Sequence, residues 1–120
     1  KAQGGLAIAC HPFDGHRSFL GIEQWIKRFD GVEVFNSRVH KKNANELALK
    51  LADEHDLAYT AGSDAHIAKE VGSAYTFARA TDIEDFRKAI INRKTKVIGL
   101  TSSILVHIPS TLAKMKKVLK

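Results

Sequence analysis

Short apolar runs alternate along the chain with longer segments in which apolar residues recur at helical spacing. The short runs predict five strands, at residues 6–10, 31–36, 58–63, 73–79 and 95–100. The longer segments predict helices at residues 21–29, 43–57 and 81–93, and a basic terminal helix at residues 109–120. Strands that alternate with helices favour a parallel sheet built from βα units, so the predicted fold class is α/β.

The third predicted helix has a clear start signal. Thr81 is followed three residues later by a glutamate, which is the pattern of a capping box, and Ile83 begins a stripe of apolar side chains. The large aromatic side chains, including Trp25 and Phe77, are expected to pack in the core. No internal repeat or interdomain linker interrupts the sequence, so residues 1–120 are predicted to form a single domain.

Residues that can bind a metal or a phosphate follow three successive predicted strands. His11 follows the first strand, Asn36 and Arg38 follow the second, and Asp64 and His66 follow the third. In parallel α/β folds, ligands bind beyond the carboxyl ends of the strands, so these groups are expected at one edge of the sheet. A mixture of histidine and carboxylate ligands suits Zn²⁺, Mn²⁺ or Fe²⁺ better than Ca²⁺. Such an ion polarises a phosphoryl oxygen and lowers the pKa of bound water.

Each of these residues also has a simpler explanation. His11 alone could be a polar surface group, and Asp64 with His66 could be an Asx turn beside an exposed histidine. Their convergence on one edge of the sheet favours the metal site. Glu33 alternates with two valines inside a strand and could point either into a barrel or to solvent. Cys10 is expected to be a packed small residue, because neighbouring residues of a strand point to opposite faces.

Charge and cysteine content narrow the class of protein further. The formal net charge is +6, and much of it lies in residues 87–96 and 114–120. This balance suits an anionic partner, phosphorylated or nucleic, although a solvated lysine-rich surface would have the same composition. No segment has 18 or more apolar residues, so no membrane span is predicted. The single cysteine excludes an internal disulfide and favours a cytoplasmic location.

Four motifs together resemble a known family. In order they are "GGLAIACHPF", "GVEVFNSR", "NELALKLADEHDL" and "SDAHIAKEVGSAYT". They resemble the second half of a PHP domain, the polymerase and histidinol phosphatase family of metal-dependent phosphoesterases, from about Gly4 to about Gly99. The resemblance implies a distorted (β/α)7 barrel with up to three metal ions at the carboxyl ends of its strands.

The resemblance also implies roles for individual residues. His11 matches a metal ligand of the family's HP motif, and Asp64 and His66 match the closing D-x-H pair, which is expected to bind metal and to take part in catalysis. Asn36 and Arg38 match positions that line the site, and are expected to bind substrate. The implied activity is hydrolysis of a phosphate ester, in a phosphorylated small molecule or a nucleotide, by metal-activated water.

One part of the family pattern is absent. No H-x-H motif, which opens the family's first strand, occurs in the 120 residues, and a complete barrel of this class needs roughly 200 residues. The chain is therefore expected to be the carboxyl-terminal part of a PHP domain, inactive by itself. An exposed half barrel is expected to self-associate through its edges. The alternative is a non-catalytic PHP-like module that binds nucleic acid or a partner protein.

Overall fold

The computed structural model describes residues 1–15 and 21–103, and the predicted terminal helix at residues 109–120 lies outside them. The strands are short, and each lies within one of the predicted apolar runs. They are β1 (Ile8–Ala9), β2 (Gly31–Asn36), β3 (Ala58–Gly62), β4 (Ala74–Phe77) and β5 (Lys96–Gly99). The helices are α1 (Ile22–Trp25), which continues as a 3₁₀ turn at Ile26–Arg28, α2 (Ala44–Glu54) and α3 (Ile83–Ile91). A second 3₁₀ turn, Ala68–Glu70, lies between β3 and β4.

The five strands form one mixed sheet in the order β1-β2-β3-β4-β5. The first three strands are parallel, as the alternation of strands and helices predicts. The prediction of a wholly parallel sheet is wrong because β4 runs antiparallel to both of its neighbours, β3 and β5. A parallel connection needs a crossover of a dozen or more residues, usually a helix. The described link from β3 to β4 holds only the Ala68–Glu70 turn.

The core lies between the parallel strands and the first two helices. Ile22 and Ile26 from the α1 segment and Leu51 from α2 pack with Val32 and Val34 of β2. Close approach of the parallel strands depends on Gly31. A Cβ there would lie 2.9 Å from the backbone oxygen of Ala58 and 3.0 Å from Ile8.

Several side chains predicted to be buried are exposed. Ile83 is 87% exposed, Trp25 is 43% exposed and Phe77 is 46% exposed. The guanidinium of Arg28 lies 4.5 Å from the centroid of the Trp25 ring, as in a cation–π contact. The predicted capping box at Thr81 is also wrong, because α3 begins one residue later.

Asp82 is the N-cap of α3, and its carboxylate accepts a hydrogen bond from the Asp85 backbone N–H at 2.7 Å. The Thr81 hydroxyl instead donates to the Asp85 side chain at 2.6 Å. Among the helices that the structure describes, none is long and apolar enough to cross a membrane.

Candidate functional site

The carboxyl ends of the three parallel strands lie side by side. Asn36, the last residue of β2, pairs with Gly62, the last residue of β3, and β1 ends against Val32. The segments that carry His11 and Asp64 therefore leave the sheet at the same edge. The register of β2 against β3 shifts just before this edge, an irregularity of the kind that often lies beside active sites.

Glu33 of β2 lies at the centre of this edge. Its Oε2 accepts a hydrogen bond from the backbone N–H of His11 at 2.8 Å and another from Asn36 Nδ2 at 3.0 Å. Its Oε1 lies over Gly62, where an added Cβ would come within 2.6 Å. The structure thus resolves the two orientations that the strand pattern left open for Glu33, since the side chain is 9% exposed and turned into the protein.

The environment of Glu33 disfavours its charged form. Burial raises the pKa of the carboxyl, and the nearby Asp64 adds to the increase, whereas the hydrogen bonds from Asn36 and His11 partly oppose it. The net pKa lies above its ordinary value. A cation at this edge would reverse that balance.

His11 combines a strained backbone with an unsatisfied side-chain atom. Its φ is +32°, which is uncommon for a residue with a Cβ and typical of sites where the surrounding structure enforces the geometry. Its imidazole Nδ1 is buried and has no hydrogen-bond partner among the described residues. Buried polar atoms are rarely left in this state, and an unplaced ion is one of the recognised reasons.

Asp64 and His66 form a compact pair after β3. Asp64 has a φ of +50°, in the left-handed region. His66 Nδ1 lies 2.8 Å from the Asp64 carbonyl oxygen and 3.9 Å from its carboxylate. Because a carbonyl only accepts, Nδ1 donates in this contact, and in the neutral imidazole the lone pair of the other ring nitrogen is the one that can bind a metal.

Behind this pair lies a buried ion pair. Arg38 Nη1 donates to Glu70 Oε1, and the two side chains are only 5% and 1% exposed. Glu70 Oε2 also accepts from the backbone N–H groups of His66 at 2.8 Å and Ile67 at 3.1 Å. Burial raises the pKa of Glu70, but these three donors and the Arg38 charge outweigh it, so its pKa lies below the ordinary value.

Asn36 joins the two halves of the site. Its side-chain oxygen accepts from the Arg38 backbone N–H at 2.9 Å, while its nitrogen donates to Glu33. An unbroken series of polar contacts therefore runs from the His11 backbone, through Glu33, Asn36 and Arg38, to Glu70 and the His66 loop. Asn36 is fully buried and Arg38 is 7% exposed. Their expected contact with substrate stays a prediction, whereas their role in this network is observed.

The donor chemistry of the site fits a transition metal, but the number of ligands is low. Histidine nitrogens and the Asp64 carboxylate are suitable ligands, and the orphaned His11 Nδ1 lies at the same sheet edge. Within residues 1–15 and 21–103, no three or more His, Cys, Asp or Glu side chains are grouped closely enough to hold an ion. Cys10 is exposed as a residue, not packed as expected. Partial burial of its sulfur raises the pKa of the thiol, and the charges of Glu33 and Asp64 add to the increase. A thiol in that state is a poor ligand.

Part of the chain is similar to a known family. A model of the PHP-associated family matches residues 42–95. Residues 42–95 are therefore similar to a PHP-associated region. The match includes Asp64 and His66, and confirms the resemblance over that span; His11, Asn36 and Arg38 lie before it.

A curated relative gives a wider alignment. An uncharacterized protein of Methanocaldococcus jannaschii is 38% identical over 91 residues, which cover 70% of this chain and 38% of the relative. The chain therefore spans well under half the length of that relative. No solved structure matches the chain.

Two residues of the network were not identified as functional from the sequence. The strand pattern leaves the orientation of Glu33 open, and it gives no sign that the carboxylate joins His11 to Asn36. Glu70 has half of a capping-box signature, a glutamate three residues after the start of a helical turn, but Ile67 occupies the position where serine or threonine completes the pattern. The sequence therefore gives only a weak signal for Glu70.

Proposed function

We propose that this chain is the carboxyl-terminal part of a PHP-type barrel. It would supply some of the metal ligands in the active site of a metal-dependent phosphoesterase. The substrate class is a phosphorylated small molecule or a nucleotide. His11, Asp64 and His66 would be shared among different Zn²⁺, Mn²⁺ or Fe²⁺ ions, and the remainder of the full-length protein would complete the coordination of each ion. When bound, the metal supplies an activated water and polarises the phosphoryl group.

One observation carries the proposal, namely the buried His11 nitrogen without a partner among the described residues, at the same sheet edge as Asp64 and His66. A histidine kept only for packing would be expected to satisfy this atom. Both His11 and Asp64 also have left-handed backbone conformations, which cost stability and cluster at functional sites. The PHP-associated match over residues 42–95 supports the same assignment.

The test is metal-dependent hydrolysis by the full-length protein. A phosphate monoester and a diester are assayed during a titration with Mn²⁺ or Zn²⁺, and bound metal is measured by elemental analysis. Asp64→Asn is the informative variant, because asparagine tolerates positive φ and removes only the charge. Asp53→Asn, at an exposed acid on α2, is the matched control. Activity that is equal in both variants, or that does not depend on metal, would contradict the proposal.

A second candidate function has its own observation. The cleft between the end of β4, α3 and the start of β5 has a volume of about 610 Å³ and carries the cationic side chains of Arg79, Lys88, Lys94 and Lys96. Asp85 is the acid that lines it, and Phe77 lies at its wall. Cations beside an exposed aromatic ring are typical of surfaces that bind single-stranded nucleic acid. This surface, which we call the basic cleft, would serve the alternative of a nucleic-acid-binding module.

Salt dependence separates the two functions. Binding of a fluorescent oligonucleotide to the basic cleft should weaken as the salt concentration rises. The slope of the logarithm of the binding constant against the logarithm of salt concentration should fall by about one for each phosphate that a variant no longer neutralises. Lys94→Gln with Lys96→Gln removes two cleft charges, and Lys50→Gln with Lys27→Gln removes two exposed charges elsewhere. Equal salt slopes for the two double variants would exclude the basic cleft as the binding surface.

A further inference from the structure

The loop after β3 is held by a residue outside the D-x-H pair. Glu70 Oε2 accepts hydrogen bonds from the backbone N–H groups of His66 and Ile67, at 2.8 and 3.1 Å. Its other oxygen accepts from Arg38, which follows β2. One carboxylate therefore joins the His66 loop to the neighbouring strand end.

The ion pair is more than a surface contact. The side chains of Arg38 and Glu70 are 5% and 1% exposed, so water does not screen their attraction as it does for exposed pairs. A buried pair of this kind is weak evidence of stabilisation, since hydrophobic side chains of the same volume often give equal or greater stability. The ion pair instead fixes the relative position of two segments, because the Glu70 carboxylate contacts both Arg38 after β2 and the backbone of the loop after β3.

We propose that Glu70 and Arg38 are positioning residues that hold His66 in its metal-binding orientation. Glu70 fixes the His66 backbone, and the contact of His66 Nδ1 with the Asp64 carbonyl then sets the ring and leaves the opposite nitrogen as the metal-binding atom. Arg38 in turn is tied through its backbone N–H to Asn36, and through Asn36 to Glu33 beside His11. The inference rests on the proposed metal site and assigns Arg38 a role distinct from substrate binding.

The first experiment measures the loop in the full-length protein without metal. Amide hydrogen exchange should show the His66 and Ile67 N–H groups protected in the unsubstituted protein. Glu70→Gln should lower that protection roughly 10-fold or more, because the charge is removed and glutamine has one acceptor oxygen where glutamate uses two. Glu84→Gln is the matched control, since Glu84 accepts from Arg87 at 2.7 and 2.8 Å on the exposed face of α3. Unprotected His66 and Ile67 amides in the unsubstituted protein would overturn the inference.

The second experiment separates positioning from stability. Arg38→Met combined with Glu70→Leu replaces the ion pair with apolar side chains, and is expected to keep the fold while removing the loop anchor. Mn²⁺ alone is the probe, and its affinity for the full-length protein should fall roughly 10- to 100-fold in this double variant and in Glu70→Gln. Glu84→Gln should bind Mn²⁺ like the unsubstituted protein. Unchanged affinity in a folded double variant whose loop amides are no longer protected would overturn the positioning role.

The two readouts keep this inference distinct from the proposed function. If the unsubstituted full-length protein binds no Mn²⁺, Zn²⁺ or Fe²⁺, the proposed function fails, and the claim that Glu70 serves a metal fails with it. Amide protection that depends on Glu70 would then remain as a measured property of the loop. If metal binds and Glu70 variants leave its affinity unchanged, the positioning inference fails and the proposed function stands.

Discussion

Gly62→Ala tests the geometry at the centre of the site. The new Cβ would lie 2.6 Å from Glu33 Oε1, a distance that requires the carboxylate to move. Glu33 cannot move freely, because its other oxygen accepts from His11 N–H at 2.8 Å and Asn36 Nδ2 at 3.0 Å. Each hydrogen bond at risk contributes about 1–3 kcal/mol, while replacing glycine by alanine where φ permits it returns about 0.4–1 kcal/mol. We therefore expect a net loss of about 2–4 kcal/mol in the free energy of unfolding, since the carboxylate keeps part of its hydrogen bonding.

Urea unfolding followed by circular dichroism measures this loss. Gly5→Ala is the matched control, because no heavy atom lies within 4 Å of an added Cβ there. Its free energy of unfolding should change by no more than about 0.5 kcal/mol. The decisive measurement is a double-mutant cycle with Glu33→Ala, in which Gly62→Ala should cost at least about 1 kcal/mol less than it does beside Glu33. An equal cost in both backgrounds would refute the contact between Glu33 and residue 62.

Other predictions concern pH, catalysis and the separate chain. The raised pKa of Glu33 means that the folded state holds its proton more tightly, so its unfavourable contribution grows as pH rises from about 4.5 through that pKa; pH-dependent unfolding of Glu33→Gln, measured without metal, should lack this loss. The lowered pKa of Glu70 has the opposite sign: its stabilisation is present above about pH 4.5 and disappears as pH falls through the folded value, so Glu70→Gln should be most destabilising near neutral pH. Asp64→Ala in the full-length protein should abolish phosphoesterase activity. It should also lower the free energy of unfolding by about 1–2 kcal/mol, because alanine is strained at positive φ, whereas Asp64→Asn should lose activity without this loss of stability. The 120-residue chain alone should show little hydrolysis at any Mn²⁺ or Zn²⁺ concentration; turnover that scales with bound metal and disappears in His66→Ala would contradict this.

Local sequence patterns predicted the strands and helices of the first half of the chain correctly because their apolar faces pack against one another. Val32 and Val34 point to the helices, and Ile22, Ile26 and Leu51 meet them there, so apolar period and burial agree. Agreement is lost in α3, where Ile83 is 87% exposed. Apolar spacing identifies the helix but does not say what lies against its apolar stripe.

The direction of β4 was not predictable from the pattern. Periodicity identifies a strand but not the strand that it pairs with or the direction of pairing. The deciding feature is the link after β3, which has a 3₁₀ turn and no crossover helix. Glu70 lies in this same link.

The strand-end argument placed His11 and Asp64 at one edge of the sheet because register follows from parallel pairing, and the structure has that register. The strand-end argument could not show that Glu33 would lie between His11 and Asp64. Alternation along a strand assigns side chains to two faces of the sheet but does not say which face the helices cover. That choice depends on packing: Val32 and Val34 fill the helix-covered face, so Glu33 must take the other.

The two buried glutamates at this edge differ in what compensates their charge. Glu70 is matched by Arg38 and by two backbone N–H groups, and its pKa is lowered. Glu33 accepts hydrogen bonds from two neutral donors, and its pKa is raised by burial and by the nearby Asp64, although the His11 side chain opposes the increase. Burying the charged form of Glu33 near a second carboxylate is costly, and a cation close to both groups lowers that cost. Added positive charge at the end of the network that carries His11 and Asp64 would therefore stabilise the charged form of Glu33, which is what the proposed metal site predicts.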